Sequence, residues 1–293
     1  MFEKAVFICL GGRASMDQED MEMHRKLKFA VIAAFCWAVS FSLPAALLAQ
    51  RIETEESLKV KVAEAVRMLA VEGIVNYSGH VSARVPGANR ILINSRDASR
   101  EIVQSENIVT VDLDGNKVAG KEGEPDETWM HLSIYRARPD VMSIVHSHAL
   151  YSTSFTIARK PMLPVTVRGA IFADGVPEYP EAGKIVNREQ GDRLAEALGP
   201  HRAALLRMHG AVVVGAYLEE AFAATIQFEE NAQYQLTASM LGPVDRLTPQ
   251  EVEDSVRESW KPNSILKRWE YYRAKEIKVN PGLQEEILQS STR

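Results

Sequence analysis

Apolar residues recur at Leu58, Val62, Ala65, Val66 and Leu69, the 3.6-residue stripe of an amphipathic helix over Glu55–Glu72, and Gly73 stops it. Strand-like segments follow at Gly79–Val85, Ile91–Asn94 and Ile108–Val111, the last running into an Asp114-Gly115-Asn116 turn. Pro125-Asp126 then opens a helix from Glu127 to Arg138, with Asp126 as the expected N-cap and Pro139 closing it. The apolar run Val141–Ala149 reads as a buried strand. A short helical piece at Tyr151–Arg159 and a proline-punctuated stretch from Pro161 to Pro180 come next. Residues 181–198 are expected to be helical and 203–215 to form one or two buried strands. A long helix, Glu219–Leu241, carries Phe222, Thr225, Phe228, Ala232, Leu236 and Met240 on one side and ends at Gly242-Pro243. Two further helices, at 248–258 and 264–278, close the chain. Strands and helices interleave without a regular βαβ repeat. The expected fold is therefore α/β, a three-layer αβα arrangement around one mostly antiparallel central sheet.

Composition narrows the chemistry. The length of 293 residues allows one large domain or two small ones. No linker divides the region 50–293, so a single domain is expected there. A net charge of -5 and the lack of a long basic run give no reason to expect nucleic acid or an anionic membrane surface as a partner, and a small-molecule substrate is expected from the site residues below. Both cysteines, Cys9 and Cys36, fall within the first 50 residues. Thiolate ligands and a cysteine nucleophile are thereby excluded from the globular part, and histidine and carboxylate remain as metal donors.

The segment Phe29–Gln50 carries no charge for 22 positions and follows the basic His24-Arg-Lys-Leu-Lys28. A basic region, an apolar region and a small residue before a polar one describe a secretory signal peptide at 23–49, with cleavage after Ala49. Residues 1–22 are then expected to be disordered or to precede the true start, at Met21 or Met23. The expected location is periplasmic or secreted. The competing readings are an uncleaved membrane anchor and an apolar segment on a cytoplasmic enzyme. Phe35 before Cys36 argues against a lipoprotein, which needs a small residue there.

The chemistry concentrates at His146-Ser147-His148. Side chains at i and i+2 of a strand share a face, so these two imidazoles converge. His209 ends a second apolar run just before Gly210, and Glu127 stands 19 residues before His146 at a helix start. Three histidines and one acid make a catalytic metal site with an open position. A His-x-His pair alone does not decide between a metal and a structural pair. His131, four residues after Glu127 on the same helix face, is read as packing or support rather than a ligand. The sign of the Glu127 pKa shift stays open, because a nearby cation favours the carboxylate and burial the acid.

These residues and spacings resemble the class II aldolase/adducin family over about residues 55–245. The likeness runs through Gly79-His-Val-Ser-Ala-Arg84, Glu127-Thr-Trp-Met-His131, Ile134–Asp140, Val145-His-Ser-His148 and His209-Gly210. It implies an αβα fold and a homotetramer with sites near subunit interfaces. It also implies zinc, or else manganese or iron, held by His146, His148 and His209, with Glu127 as acid/base. Three departures bear on the substrate. Phosphate-binding members carry Gly-Asn where this chain has Gly79-His80, Thr-Gly near Asn94–Asp97, and Ser-Ser where it has Pro125-Asp126. Met208 also stands where an Asn is usual. Hydroxyl and amide donors suited to phosphate are missing, and an acid at 126 would repel it. His80, Arg96 and Arg100 suit a carboxylate instead, with Gly79 and Asp126 completing the expected substrate-binding set. The pattern is similar to the branch containing dihydroxyphthalate-type decarboxylases. It implies a metal-dependent carbon–carbon lyase on a carboxylated, non-phosphorylated hydroxy or oxo compound. A sugar epimerase or dehydratase and a non-catalytic adducin-like interaction module are the alternatives.

Overall fold

The structure, a computed structural model, describes residues 54–283. The expected signal segment at 23–49 and the residues before it lie outside the described residues. Among the described residues, no helix is long and apolar enough to cross a membrane.

Eight strands form one sheet. They are β1 (His80–Arg84), β2 (Arg90–Asn94), β3 (Ile108–Asp112), β4 (Lys117–Ala119), β5 (Ser143–Ser147), β6 (Glu178–Tyr179), β7 (Ala203–Leu206) and β8 (Gly210–Gly215). Their order is β4-β3-β2-β1-β5-β8-β7-β6. Every pairing is antiparallel except the short parallel contact of β6 with β7. Helices α1 (Glu55–Val71), α5 (Leu218–Ser239) and α7 (Pro262–Val279) cover one face. There Leu69, Leu218, Phe222 and Trp269 pack on Val81, Ala83, Leu92 and Val145. Helices α2 (Thr128–Ala137) and α4 (Arg188–Leu198) cover the other, with Met130, Ile134 and Leu194 against Ile91, Ile93, Ile144 and Val212. Helix α3 (Leu150–Ala158) follows β5, and α6 (Pro249–Ser259) precedes α7. The three-layer α/β expectation holds. Buried ion pairs fasten α7 to α1, Arg67 to Glu276 at 2.7 Å and Arg273 to Glu64 at 3.1 Å.

Three local expectations are corrected. Asp126 does not cap α2; Glu127 occupies that position, and the Asp126 carboxylate turns outward to two cations. Residues 181–187 are not helical. Helix α4 begins only at Arg188, because the Asn187 side chain caps it by accepting from the Gln190 N–H. Strands β4 and β6 lie at the two edges of the sheet, too short and too polar to show a period-two pattern.

Period-two alternation also divides β1 chemically. Val81 and Ala83 enter the apolar layer under α1, while His80 and Ser82 face α2 with almost no exposure. The register sets His80 opposite His146 and Ser82 opposite Ile144, so a polar seam crosses an otherwise apolar interface.

Candidate metal centre

Three separate elements deliver the histidines. His146 lies in β5, and His148 stands one residue past its end, still on the same face. His209 lies in the turn between β7 and β8. That turn is tight. Met208 adopts φ 57, in the left-handed region, and its N–H donates to Thr156 Oγ1 at 2.9 Å. Asn tolerates this conformation better than Met, which explains the residue expected there. Gly210 permits the close approach of β8 to β5: a Cβ on it would lie 2.1 Å from the Ser147 carbonyl oxygen and 3.1 Å from the His148 ring.

The Nε2 atoms of His146 and His148 lie 2.9 Å apart, and those of His148 and His209 3.1 Å apart. Glu127 Oε2 is 3.7 Å from the Nε2 of both His146 and His209. The four ligand atoms lie within 4.8 Å of one another. The other ring nitrogens fix the protons. His146 Nδ1–H donates to the Ala211 carbonyl at 3.0 Å. His148 Nδ1–H donates to Ser78 Oγ at 2.8 Å, and Ser78 is left to donate to Asn76 Oδ1. Both Nε2 lone pairs therefore point inward. Lone pairs facing one another at this range repel, and a cation at their centre reverses the sign. Imidazoles bound at about 2.0–2.1 Å around a tetrahedral ion stand roughly 3.3 Å apart, close to the spacing seen. The residues fit a divalent metal.

Burial sets the protonation. It holds the His146 imidazole well below its ordinary range, reinforced by the neighbouring histidines, and His148 at about 4. Burial also pushes the Glu127 carboxyl up, against the opposing pull of His209 and of the Ile185 N–H. Ile185 donates to Glu127 Oε1 at 2.9 Å, which leaves Oε2 facing the histidines. Among the protein's own groups, burial outweighs the nearby positive charges at Glu127. The Glu127 Oε2 atom stands within 4.8 Å of the three imidazole nitrogens, beside the position expected to stay open.

Around this centre, His80 is buried and its Nε2 faces Glu127 Oε2 at 3.9 Å. Asp126 lies between two exposed cations, Lys184 at 3.0 Å and Arg96 at 3.3 Å. These partners, Lys184 first, hold its carboxyl below the usual range. Lys184 is adjacent to Ile185, so one loop supplies both the clamp on Glu127 and a cation beside it.

The Class II Aldolase and Adducin N-terminal domain family matches residues 60–236. The chain belongs to that family. It is 29% identical over 203 residues to the 3,4-dihydroxyphthalate decarboxylase of Arthrobacter keyseri, covering 64% of this chain and 82% of that protein. It is 31% identical over 165 residues to the L-fuculose phosphate aldolase of Methanocaldococcus jannaschii, covering 56% of this chain and 86% of that protein. Among solved structures, an L-fuculose 1-phosphate aldolase from Glaciozyma antarctica superposes with a TM-score of 0.70 at 24% identity, covering 79% of this chain and 93% of that one. That likeness confirms the class II aldolase fold.

Within this family member the structure sorts the expected substrate residues. His80 faces Glu127, and Arg96 pairs with the neighbouring Asp126 at the surface. Arg100 does not join them. Its guanidinium is buried and donates to the carbonyls of Gly79, Ser95, Arg96 and Ala98, so it braces the loop instead. Gly79 has φ +98, and a Cβ on it would press on Val75 and on the His146 carbonyl; its role is backbone geometry. His131 is fully buried, with no place in the ligand group. Sequence reading missed Lys184, Ile185, Ser78 and Ser82. Ser82 alone had a visible signal, an alternating polar position inside a strand.

Proposed function

We propose that this protein is a metal-dependent carbon–carbon lyase acting on a carboxylated hydroxy or oxo compound without a phosphate. The observation that carries the reading is the convergence of three imidazole Nε2 atoms and Glu127 Oε2 on one point. His146, His148 and His209 would hold the cation. Zinc suits this nitrogen-rich set, with manganese or iron as alternatives. Such a cation supplies Lewis acidity toward substrate oxygens.

The chain's own groups do the rest. Glu127, its carboxyl pushed up by burial and oriented by the Ile185 N–H, moves a proton to or from the substrate carbon. Arg96 and Lys184 offer two cations for a substrate carboxylate, and Asp126 holds both in place while disfavouring a phosphate dianion. The decarboxylase and aldolase relatives support a lyase, and the missing phosphate donors support the carboxylated branch. A homotetramer and an exported location belong to the same reading, since substrates outside the cell are seldom sugar phosphates.

The test is a substrate panel of hydroxy and oxo acids, ortho-dihydroxy aromatic acids and sugar phosphates, followed for CO₂ and aldehyde release. Cleavage of a carboxylated member is expected, and Glu127→Gln should lower it by roughly 10²–10⁴-fold. Turnover confined to sugar phosphates, or isomerisation without cleavage, would refute the proposal.

A further inference from the structure

A continuous chain of buried polar atoms leads from the back of the site into the sheet. Tyr135 Oη lies 2.8 Å from Ser82 Oγ, and Ser82 Oγ lies 2.7 Å from His131 Nδ1. His131 Nε2 lies 3.0 Å from His80 Nδ1. All four side chains are at most 5% exposed, so each donor except one facing the metal centre must find its acceptor within the protein.

That requirement sets a direction. Ser82 is the only side-chain partner of the Tyr135 hydroxyl among the described residues, so the phenol donates to Ser82. Ser82 then has its own proton free for His131 Nδ1, which accepts. The neutral His131 ring must carry its proton on Nε2 and donates it to His80 Nδ1. The His80 proton is left on Nε2, the atom that faces the metal centre. The opposite polarity would leave the Tyr135 proton without a side-chain acceptor among the described residues and turn a fourth imidazole lone pair toward the cation. His80 lies outside the ligand group, which agrees with the first polarity. Its Nε2 stands 3.9 Å from Glu127 Oε2, so this N–H is not spent on that carboxylate.

We propose that His80 is a neutral Nε2–H donor to the substrate oxygen on which negative charge develops, and that Ser82, His131 and Tyr135 are positioning residues that fix its tautomer. This rests on the lyase reading for its substrate. A neutral imidazole suits the task, because it stabilises developing charge without adding a cation beside the metal. It also gives the histidine at position 80 a different role from the charged carboxylate partner that the sequence suggests.

The test is ¹⁵N-histidine NMR on the full chain, first metal-free and then zinc-loaded, with oxalate as an enolate-like probe. The wild type should show His80 and His131 protonated at Nε2 only, and oxalate should shift the His80 Nε2–H resonance. Ser82→Ala should keep its zinc, show mixed tautomers at both rings, and bind oxalate about tenfold more weakly. Tyr135→Phe, which removes the donor that orients the Ser82 hydroxyl, should keep its zinc and shift both rings toward mixed tautomers. A His80 protonated at Nδ1 in the wild type would overturn the proposal, and this measurement does not depend on how Ser82→Ala folds. Unchanged tautomers and oxalate affinity in a folded Ser82→Ala would also overturn it. The lyase reading fails separately, by absent zinc binding or absent cleavage, because the tautomer is read in the metal-free protein.

Discussion

Glu127 and His131 stand four residues apart, and burial acts on both by favouring the uncharged form. The carboxyl is pushed up by desolvation, and the imidazole is held at about 3 for the same reason. The histidine has a consequence for stability. In the unfolded chain His131 takes a proton near its ordinary 6.5, whereas the folded chain resists it down to about 3. Between these values the unfolded state binds more protons, so stability rises with pH and is lost as pH falls below 6.5. For this one group the loss approaches about 1.4 kcal/mol per pH unit. His80 and His146 are also lowered and add in the same direction. Glu127 is raised and opposes them, but only between about 4.5 and its folded value. Denaturant unfolding of chelator-treated protein should therefore show a clear drop in stability from pH 7.5 to pH 5.5. A flat profile over that interval would contradict the buried, neutral histidines.

At the scale of elements, strand alternation and two turns assemble the centre. Gly210 makes the junction of β8 with β5 possible, because a Cβ there would lie 2.1 Å from the Ser147 carbonyl oxygen. Gly210→Ala should force β5 and β8 apart, displace His148 and His209, and lower bound metal at least tenfold, as measured by competition with a chromophoric chelator. Undiminished affinity would show that the backbone contact does not hold the ligands. The same elements show what a sequence can disclose. The α1 stripe and the i, i+2 pair at His146 and His148 are local periodicities, and both appear in the structure as read. The direction of the Asp126 side chain was not legible, because Lys184, 58 residues away, competes for it. The fate of Arg100 was hidden for a similar reason: four backbone carbonyls of a folded loop consume its donors. The facing of His80 and His131 depends on the register of β1 with β5 and on the seating of α2, neither of which leaves a pattern along the chain.

At the scale of the whole molecule, the apolar layers on both faces of the sheet hold rigid what the centre needs. Helices α1, α5 and α7 press on one face, and α2 and α4 on the other. The polar seam of His80, Ser82, His131 and Tyr135 is accommodated because every link in it lies within hydrogen-bond distance. Membership of the class II aldolase/adducin family accounts for the frame. His146, His148 and His209 are proposed to hold a divalent cation. Elemental analysis of the purified wild type and of His148→Ala, alongside a folding control, tests it most directly. Close to one divalent ion per wild-type chain, and almost none in a folded His148→Ala, is the expected result. A wild type that takes up no metal on reconstitution, or a His148→Ala variant that keeps its full complement, would contradict it.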